Sequence, residues 1–173
     1  MNAQNNDYSN IFSLNKRTAF SVGGEGLIGS EITEAISSYG AKTFVLDIND
    51  SIKNDDKNIT KIYFDCAKVD TIEKNLSEII NKFGCPDIFI NCSYPRTKDW
   101  SNNSFNKITL DSFQKNIDMH LNSYAWLARL IANYMIDYKK KGSIVQLGSI
   151  YGIVGQDLSI YNNTEMNENM SYS

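Results

Sequence analysis

Short apolar runs alternate along the chain with longer segments whose apolar residues recur at helical spacing. The short runs are apolar or β-prone at consecutive positions, as strands buried on both faces of a parallel sheet are, and they cover residues 17–22, 43–46, 59–64, 88–90 and 143–147. The helical patterns cover residues 27–39, 69–83 and 110–138. This alternation predicts an α/β fold in which helices cover both faces of a parallel sheet.

A glycine-rich segment lies between the first predicted strand and the first predicted helix. Its glycines satisfy GxGxxG counted from Gly24 and GxxGxxG counted from Gly23. Such a turn lets the backbone approach a diphosphate, and the start of the following helix supplies free N–H groups and a partial positive charge. The alternative is a tight turn that binds no ligand.

Asp47 ends the next predicted strand, where a carboxylate can accept hydrogen bonds from both hydroxyls of an adenosine ribose. It would repel a 2′-phosphate, and no arginine follows within the next few residues. This favours NAD over NADP as the cofactor. The alternative is that Asp47 faces solvent at the start of a turn.

Composition narrows the function classes. The chain has 173 residues, 42% of them hydrophobic, and a net charge of −3, which fits one domain and no nucleic-acid partner. No run approaches the about 18 apolar residues of a membrane helix. The three cysteines form no CxxC pair, which is typical of reduced thiols in the cytoplasm, and a single histidine excludes a His-rich metal site. Residues 1–15 are predicted to be a disordered leader and residues 16–173 the folded domain.

From about residue 17 onward these segments resemble the short-chain dehydrogenase/reductase family. Residues 22–29 look like its TGGxGxIG motif, with Val22 in place of Thr. Two further pairs resemble family segments: Asp65 and Cys66 a pair that contacts the adenine, and Asn91 and Cys92 part of the NNAG segment that flanks a ribose. The resemblance implies a Rossmann-like three-layer fold with strand order 3-2-1-4-5. It also implies a cofactor site comprising Gly23, Gly24, Gly26, Leu27, Ile28, Gly29, Asp47, Asp65, Cys66, Asn91 and Cys92.

The same resemblance implies the catalytic residues. Residues 142–152 resemble the family's GxIVNxSSxxG, which makes Ser149 the active-site serine. Tyr172 resembles the tyrosine of the family's Tyr-x-x-x-Lys motif, whose lysine would follow residue 173. Tyr161 is the alternative, but Glu165 stands four residues after it. His120 occupies the place of a helical Asn that anchors a relay water, and it either takes over that role or is a packed core histidine.

The resemblance therefore implies an NAD-dependent oxidoreductase that transfers a hydride between NAD(H) and a hydroxyl or carbonyl of a small polar substrate. Residues 160–166 resemble an insertion in bacterial members tied to sugar or surface-glycan modification. Because family members are longer, we expect a sheet that is incomplete on its C-terminal side. We also expect weak or no activity from this chain alone, and a homo-oligomer in the full-length form. The alternative is a non-catalytic dinucleotide-binding or oligomerisation module, favoured by the missing lysine and by His120.

Overall fold

The protein folds around a five-stranded parallel sheet with the order β3-β2-β1-β4-β5. The computed structural model describes residues 11–49, 57–104, 106–155 and 157–164. The strands are β1 (Thr18–Val22), β2 (Lys42–Asp47), β3 (Ile59–Tyr63), β4 (Ile88–Asn91) and β5 (Ser143–Gln146). Both the α/β class and the strand order predicted above are confirmed.

The α-helices of the described chain are α1 (Leu27–Ser38), α2 (Val69–Phe83), α3 (Leu110–Ile117) and α4 (Ser123–Asp137). Shorter 3₁₀ turns cover Trp100–Asn102, Ile150–Gly152 and Leu158–Tyr161. The boundaries predicted for α2 match those of the structure, and those of α1 and of the strands differ by one or two residues, within the ordinary uncertainty of element ends.

The helix predicted over residues 110–138 is interrupted in the structure. A π-helical turn, Asp118–Asn122, separates α3 from α4. At its end the Ser123 hydroxyl donates a hydrogen bond of 2.6 Å to the carbonyl oxygen of Met119, and such side-chain bonding competes with the regular helical ladder. Hydrophobic spacing does not report this local widening, so the single-helix prediction was wrong at this turn.

The core lies between the sheet and the pair α2 and α4. Phe44, Phe20 and Phe89 occupy neighbouring register positions on β2, β1 and β4, and all three are fully buried. They pack with apolar residues of the two helices: Ile72, Leu76 and Ile80 on α2, and Leu127 and Ile131 on α4. Residues of alternate positions face the other way, where Ser21 accepts a hydrogen bond of 3.1 Å from Thr33 of α1. Helices therefore lie on both faces of the sheet.

β5 is the last strand at one edge of the sheet, as predicted. Val145 in this strand is 42% exposed, and the apolar residues Ile150, Ile153 and Val154 that follow it are also exposed. Among the described residues this edge has no further strand.

The predicted leader, residues 1–15, lies partly outside the described residues. In the part that is described, the N–H of Leu14 donates a hydrogen bond of 2.8 Å to the carbonyl of Tyr39, just after α1. Within the described ranges, no helix combines the length and the apolar character needed to cross a bilayer.

Candidate functional site

A cavity of about 530 Å³ opens where β1, β2, β3 and β4 end at their carboxyl edge. Parallel α/β sheets bind ligands at this edge, because the loops that follow the strands converge there. The lining residues come from four loops: Gly23, Gly26, Leu27 and Ile28 after β1; Leu46, Asp47, Ile48 and Asn49 at the end of β2; Phe64, Asp65, Cys66 and Ala67 after β3; and Cys92, Ser93, Tyr94, Pro95 and Arg96 after β4. Met119 from the π-helical turn completes the wall.

The glycine-rich turn forms one side of this cavity and could not be built from larger residues. Gly23 has a φ of +71°, and a Cβ there would lie 2.5 Å from the Cα of Ser93. A Cβ at Gly29 would press on the carbonyl oxygen of Gly23. The turn is thus held between the loop after β4 and the first turn of α1. The missing side chains allow that close packing.

Gly26 is the N-cap of α1, and among the described residues no side chain forms a capping hydrogen bond there. The next two residues, Leu27 and Ile28, line the cavity. The N–H groups in the first turn of a helix lack intrahelical partners, and together with the helix dipole they favour an anion. This end of the cavity is therefore suited to a negatively charged group.

Asp47 lines the cavity beside the glycine-rich turn and is 9% exposed. Its Oδ2 accepts a hydrogen bond of 3.1 Å from the N–H of Glu25, and its Oδ1 accepts one of 3.0 Å from the N–H of Asn49. A carboxylate oxygen has more than one lone pair, so each can still accept from a ligand hydroxyl. The two backbone bonds fix the direction in which the carboxylate faces.

Asp65 and Cys66 follow β3 and line the cavity. Asp65 forms an ion pair of 3.0 Å with Lys68, and this hydrogen bond raises the pKa of Lys68. Burial raises the pKa of the Cys66 thiol, so the residue acts as an apolar surface.

Asn91 ends β4 and is buried behind the cavity wall. Its Oδ1 accepts hydrogen bonds of 3.1 Å from the Ser93 N–H and 2.6 Å from the Ser93 hydroxyl. Its Nδ2 is buried and has no hydrogen-bond partner among the described residues. Tyr124 of α4 donates a short hydrogen bond to the carbonyl of Ser93, and burial chiefly raises the pKa of this tyrosine to about 12. Asn91 and Tyr124 together hold the loop that Gly23 touches.

His120 is packed beneath the same loop. Its Nε2 lies 2.9 Å from the carbonyl oxygen of Pro95, and its ring contacts those of Tyr94 and Tyr124 at centroid distances of 4.8 and 5.7 Å. Burial lowers the pKa of His120, opposed in part by the hydrogen bond to Pro95. The imidazole is accordingly held neutral near pH 7, as a buried side chain next to the cavity wall.

Ser149 follows β5, and its Oγ accepts a hydrogen bond of 3.2 Å from the N–H of Tyr151. An Oγ used in this way keeps its own O–H for donation. The hydroxyls of Tyr151 and Tyr161 lie 2.7 Å apart, and this hydrogen bond raises the pKa of Tyr151. Tyr172, the other candidate for the active tyrosine, lies outside the described residues.

The structure brings most of the predicted cofactor residues to one cavity. Eight of them line it: Gly23, Gly26, Leu27, Ile28, Asp47, Asp65, Cys66 and Cys92. Gly24, Gly29 and Asn91 lie behind the wall, and neither Ser149 nor His120 is among the lining residues. Within the described ranges, no group of three or more His, Cys, Asp or Glu side chains is placed to hold a metal ion.

Sequence reasoning missed the contribution of Tyr94, Pro95 and Arg96 to the cavity wall. The Arg96 guanidinium lies over the rings of Trp100 and Tyr94, at 4.3 and 5.8 Å from their centroids. The position of residues 94–96 soon after a parallel strand was the available signal, because the loops at that end of a sheet form its ligand site.

Comparison with known proteins shows related proteins along most of the chain. Post-translational flagellin modification protein A from Campylobacter coli is 23% identical over 171 residues, which are 92% of this chain and 66% of that protein. Xanthoxin dehydrogenase from Arabidopsis thaliana is 29% identical over 170 residues, which are 89% of this chain and 57% of that protein. The chain therefore spans between 57% and 66% of the length of these relatives.

A solved structure shares the fold. A short chain dehydrogenase from Leptospira borgpetersenii, crystallised with bound NAD⁺, is 27% identical and superposes with a TM-score of 0.77. The superposition covers 96% of this chain and 63% of that one. The family of short chain dehydrogenases also matches residues 17–163, which include every element of the sheet and the whole cavity wall. This chain belongs to the short chain dehydrogenase family.

Proposed function

We propose that the protein is an NAD-dependent oxidoreductase that interconverts a hydroxyl and a carbonyl group on a small polar substrate. The observation that carries the proposal is the cavity at the ends of the parallel strands, which combines an uncapped helix start behind the glycine-rich turn with the carboxylate of Asp47. Membership of an enzyme family favours this function over a non-catalytic binding module.

A nicotinamide dinucleotide fits the residues that surround the cavity. The glycine-rich turn leaves space beside the start of α1 for its diphosphate. Asp47 would accept from the adenosine ribose, and Asp65 with Cys66 would border the adenine. Asn91 and Cys92 would flank the other ribose, and the buried Nδ2 of Asn91 is a donor for which the described residues supply no acceptor.

We propose NAD rather than NADP because of the charge at Asp47. A carboxylate and a 2′-phosphate about 4 Å apart repel each other by about 4 kcal/mol at an effective dielectric constant of 20. The orientation of the carboxylate is fixed by two backbone N–H groups, so it cannot easily turn away from such a phosphate.

For the chemical step we propose Ser149 and Tyr172 as the residues that contact the substrate oxygen. When bound, the nicotinamide supplies or accepts the hydride at the substrate carbon. The Ser149 hydroxyl would hold the oxygen, and the Tyr172 phenol would give or take its proton. His120 would support proton transfer from beneath the loop after β4. Its neutral imidazole suits either a donor or an acceptor role.

The substrate class is proposed from similarity. The likeness to a flagellin modification protein agrees with the sugar-derived substrate suggested by the sequence. The cytoplasmic location and the homo-oligomeric assembly of the full-length form are proposals of the same kind.

The test is a titration of the purified chain with NAD and NADP, followed by calorimetry, alongside circular dichroism to establish folding. We expect saturable binding of NAD at lower concentrations than NADP. Asp47→Ser should reduce the preference for NAD at least tenfold, since it removes the carboxylate that repels a 2′-phosphate. Asp111→Ser, on the exposed face of α3, is the control and should leave the preference unchanged. A folded chain that ignores both dinucleotides at millimolar concentration refutes the proposal.

A further inference from the structure

A mostly buried ion pair lies next to the glycine-rich turn. The Nζ of Lys61, on β3, is 2.8 Å from the Oε1 of Glu25, the residue between Gly24 and Gly26. The side chains are 16% and 7% exposed, respectively. Neither residue is among those that line the cavity, so the pair supports the wall from behind.

The sheet register explains how this pair reaches Asp47. Lys61 is the register partner of Val45, and paired residues point to the same face of a sheet. Asp47 lies two positions after Val45, so its side chain is on that face as well. Glu25 lies above this face and connects the two, because its N–H donates to Asp47 while its carboxylate binds Lys61.

The Glu25 carboxylate lies on the turn that is expected to receive a negatively charged ligand. The carboxylate of Glu25 is on the same turn as Gly23 and Gly26, and its backbone is hydrogen-bonded to a second carboxylate. Two uncompensated carboxylates would lower the affinity of this site for a diphosphate. Lys61 neutralises one of them inside the protein, where water screens little.

The pair also limits the attraction of Lys61 for a second anionic group. An ammonium group close to the Asp47 region is the kind of group that attracts a 2′-phosphate. Because Glu25 engages Lys61, the cation is compensated and does not offset the Asp47 carboxylate that lines the cavity. The same interaction thus permits the diphosphate and disfavours the additional phosphate of NADP.

We propose that Glu25 and Lys61 are positioning residues that set dinucleotide affinity and NAD selectivity through their mutual neutralisation. This inference rests on the proposed function. It predicts weaker NAD binding when only the Lys61 charge is removed and a narrower preference for NAD when only the Glu25 charge is removed. Both quantities should return toward wild type when both charges are removed.

The experiment measures dissociation constants for NAD and NADP on the full chain by calorimetry, with wild type, Lys61→Met, Glu25→Gln and the double variant. Lys61→Met should weaken NAD binding about tenfold, because it leaves an uncompensated carboxylate at the turn. Glu25→Gln should narrow the preference for NAD over NADP about fivefold or more, because it frees the cation. The double variant should lie within about twofold of wild type for both quantities.

The ion pair between Lys115 and Asp111, 2.6 Å long and exposed on α3, provides matched control variants, Lys115→Met and Asp111→Asn. These should change neither dissociation constant. Recovery of binding in the double variant is the readout that a purely structural defect would not show, because a packing defect at Lys61 would persist when Glu25 is also replaced.

The outcomes separate the two proposals. If wild type is folded and binds neither dinucleotide, the proposed function fails. If wild type binds NAD but the double variant is as weak as Lys61→Met, or Glu25→Gln keeps the wild-type preference, the inference fails while the proposed function stands. Should Lys61→Met not fold, Glu25→Gln and the double variant decide alone, since the first must shift the preference and the second must restore it.

Discussion

Replacing Gly23 by alanine tests whether the glycine-rich turn is held by the close approach of the loop after β4. The residue has a φ of +71°, and alanine in a left-handed conformation costs about 1–2 kcal/mol. The new Cβ would also lie 2.5 Å from the Cα and 2.6 Å from the N of Ser93. These are backbone atoms, so relief requires a shift of the loop rather than a change of rotamer.

The magnitude follows from these two contributions. Crowding in a well-packed region typically costs about 1–3 kcal/mol, which brings the expected loss in the free energy of unfolding to about 2–5 kcal/mol. With a urea dependence of about 2 kcal/mol per molar, a loss of about 3 kcal/mol lowers the denaturation midpoint by about 1.5 M. Urea titrations followed by circular dichroism and by fluorescence provide the measurement.

Two other glycines separate backbone strain from crowding. Gly84 has a φ of +88°, but no atom lies within 4 Å of the point that an added Cβ would occupy, so Gly84→Ala reports the strain of a positive φ alone. Gly148 has neither strain nor neighbours within 4 Å, and Gly148→Ala should be close to neutral. A Gly23→Ala variant that loses no more stability than Gly84→Ala would refute the idea that the loop and the turn are rigidly packed together.

Three further predictions concern the groups around the loop after β4. Tyr124→Phe should lower the free energy of unfolding by about 1–3 kcal/mol, because it leaves the Ser93 carbonyl without its hydrogen-bond donor. Tyr138→Phe, at an exposed site, should change the free energy of unfolding little, and urea titration compares the two variants. Burial raises the pKa of the Cys92 thiol, so iodoacetamide should label this residue slowly at pH 7.5 and faster as the pH rises. Because Cys92 lines the cavity, bound NAD should slow the labelling further. Mass spectrometry follows the labelling, and rapid labelling at pH 7.5 would contradict this interpretation. Because burial lowers the pKa of His120, the unfolded chain binds a proton below about pH 6.5 that the folded chain does not. The free energy of unfolding should therefore fall by up to about 1.4 kcal/mol per pH unit below about pH 6.5, until the folded-state pKa is reached. His120→Gln should remove this part of the pH dependence of unfolding, and an unchanged slope in the variant would contradict the assignment to His120.

Local patterns were sufficient to predict the order of elements and to select residues that the structure brings together at one cavity. Consecutive apolar positions identified the buried strands, because a strand covered on both faces has no polar side. The spacing of Ile72, Leu76 and Ile80 set the limits of α2, because a helix buries one stripe. The glycines before α1 and the carboxylate of Asp47 indicated the ligand edge, since their positions relative to a strand and a helix are local properties.

Tertiary structure decided what these residues contact. The sequence contains no signal that Gly23 lies against Ser93, that Asn91 and Tyr124 hold that loop, or that His120 binds the Pro95 carbonyl. The π-helical turn at Asp118–Asn122 was likewise not predicted, because the hydrophobic periodicity continues through it.

The pairing of Glu25 with Lys61 shows why the sequence alone does not predict such contacts. The two residues are far apart along the chain, and only the parallel register of β2 with β3 places Lys61 on the face beneath the turn. Periodicity reports which side of an element is buried, because it depends on neighbours along the chain. The pairing of charged side chains depends on the register of the strands, which is determined by the packing of the whole sheet.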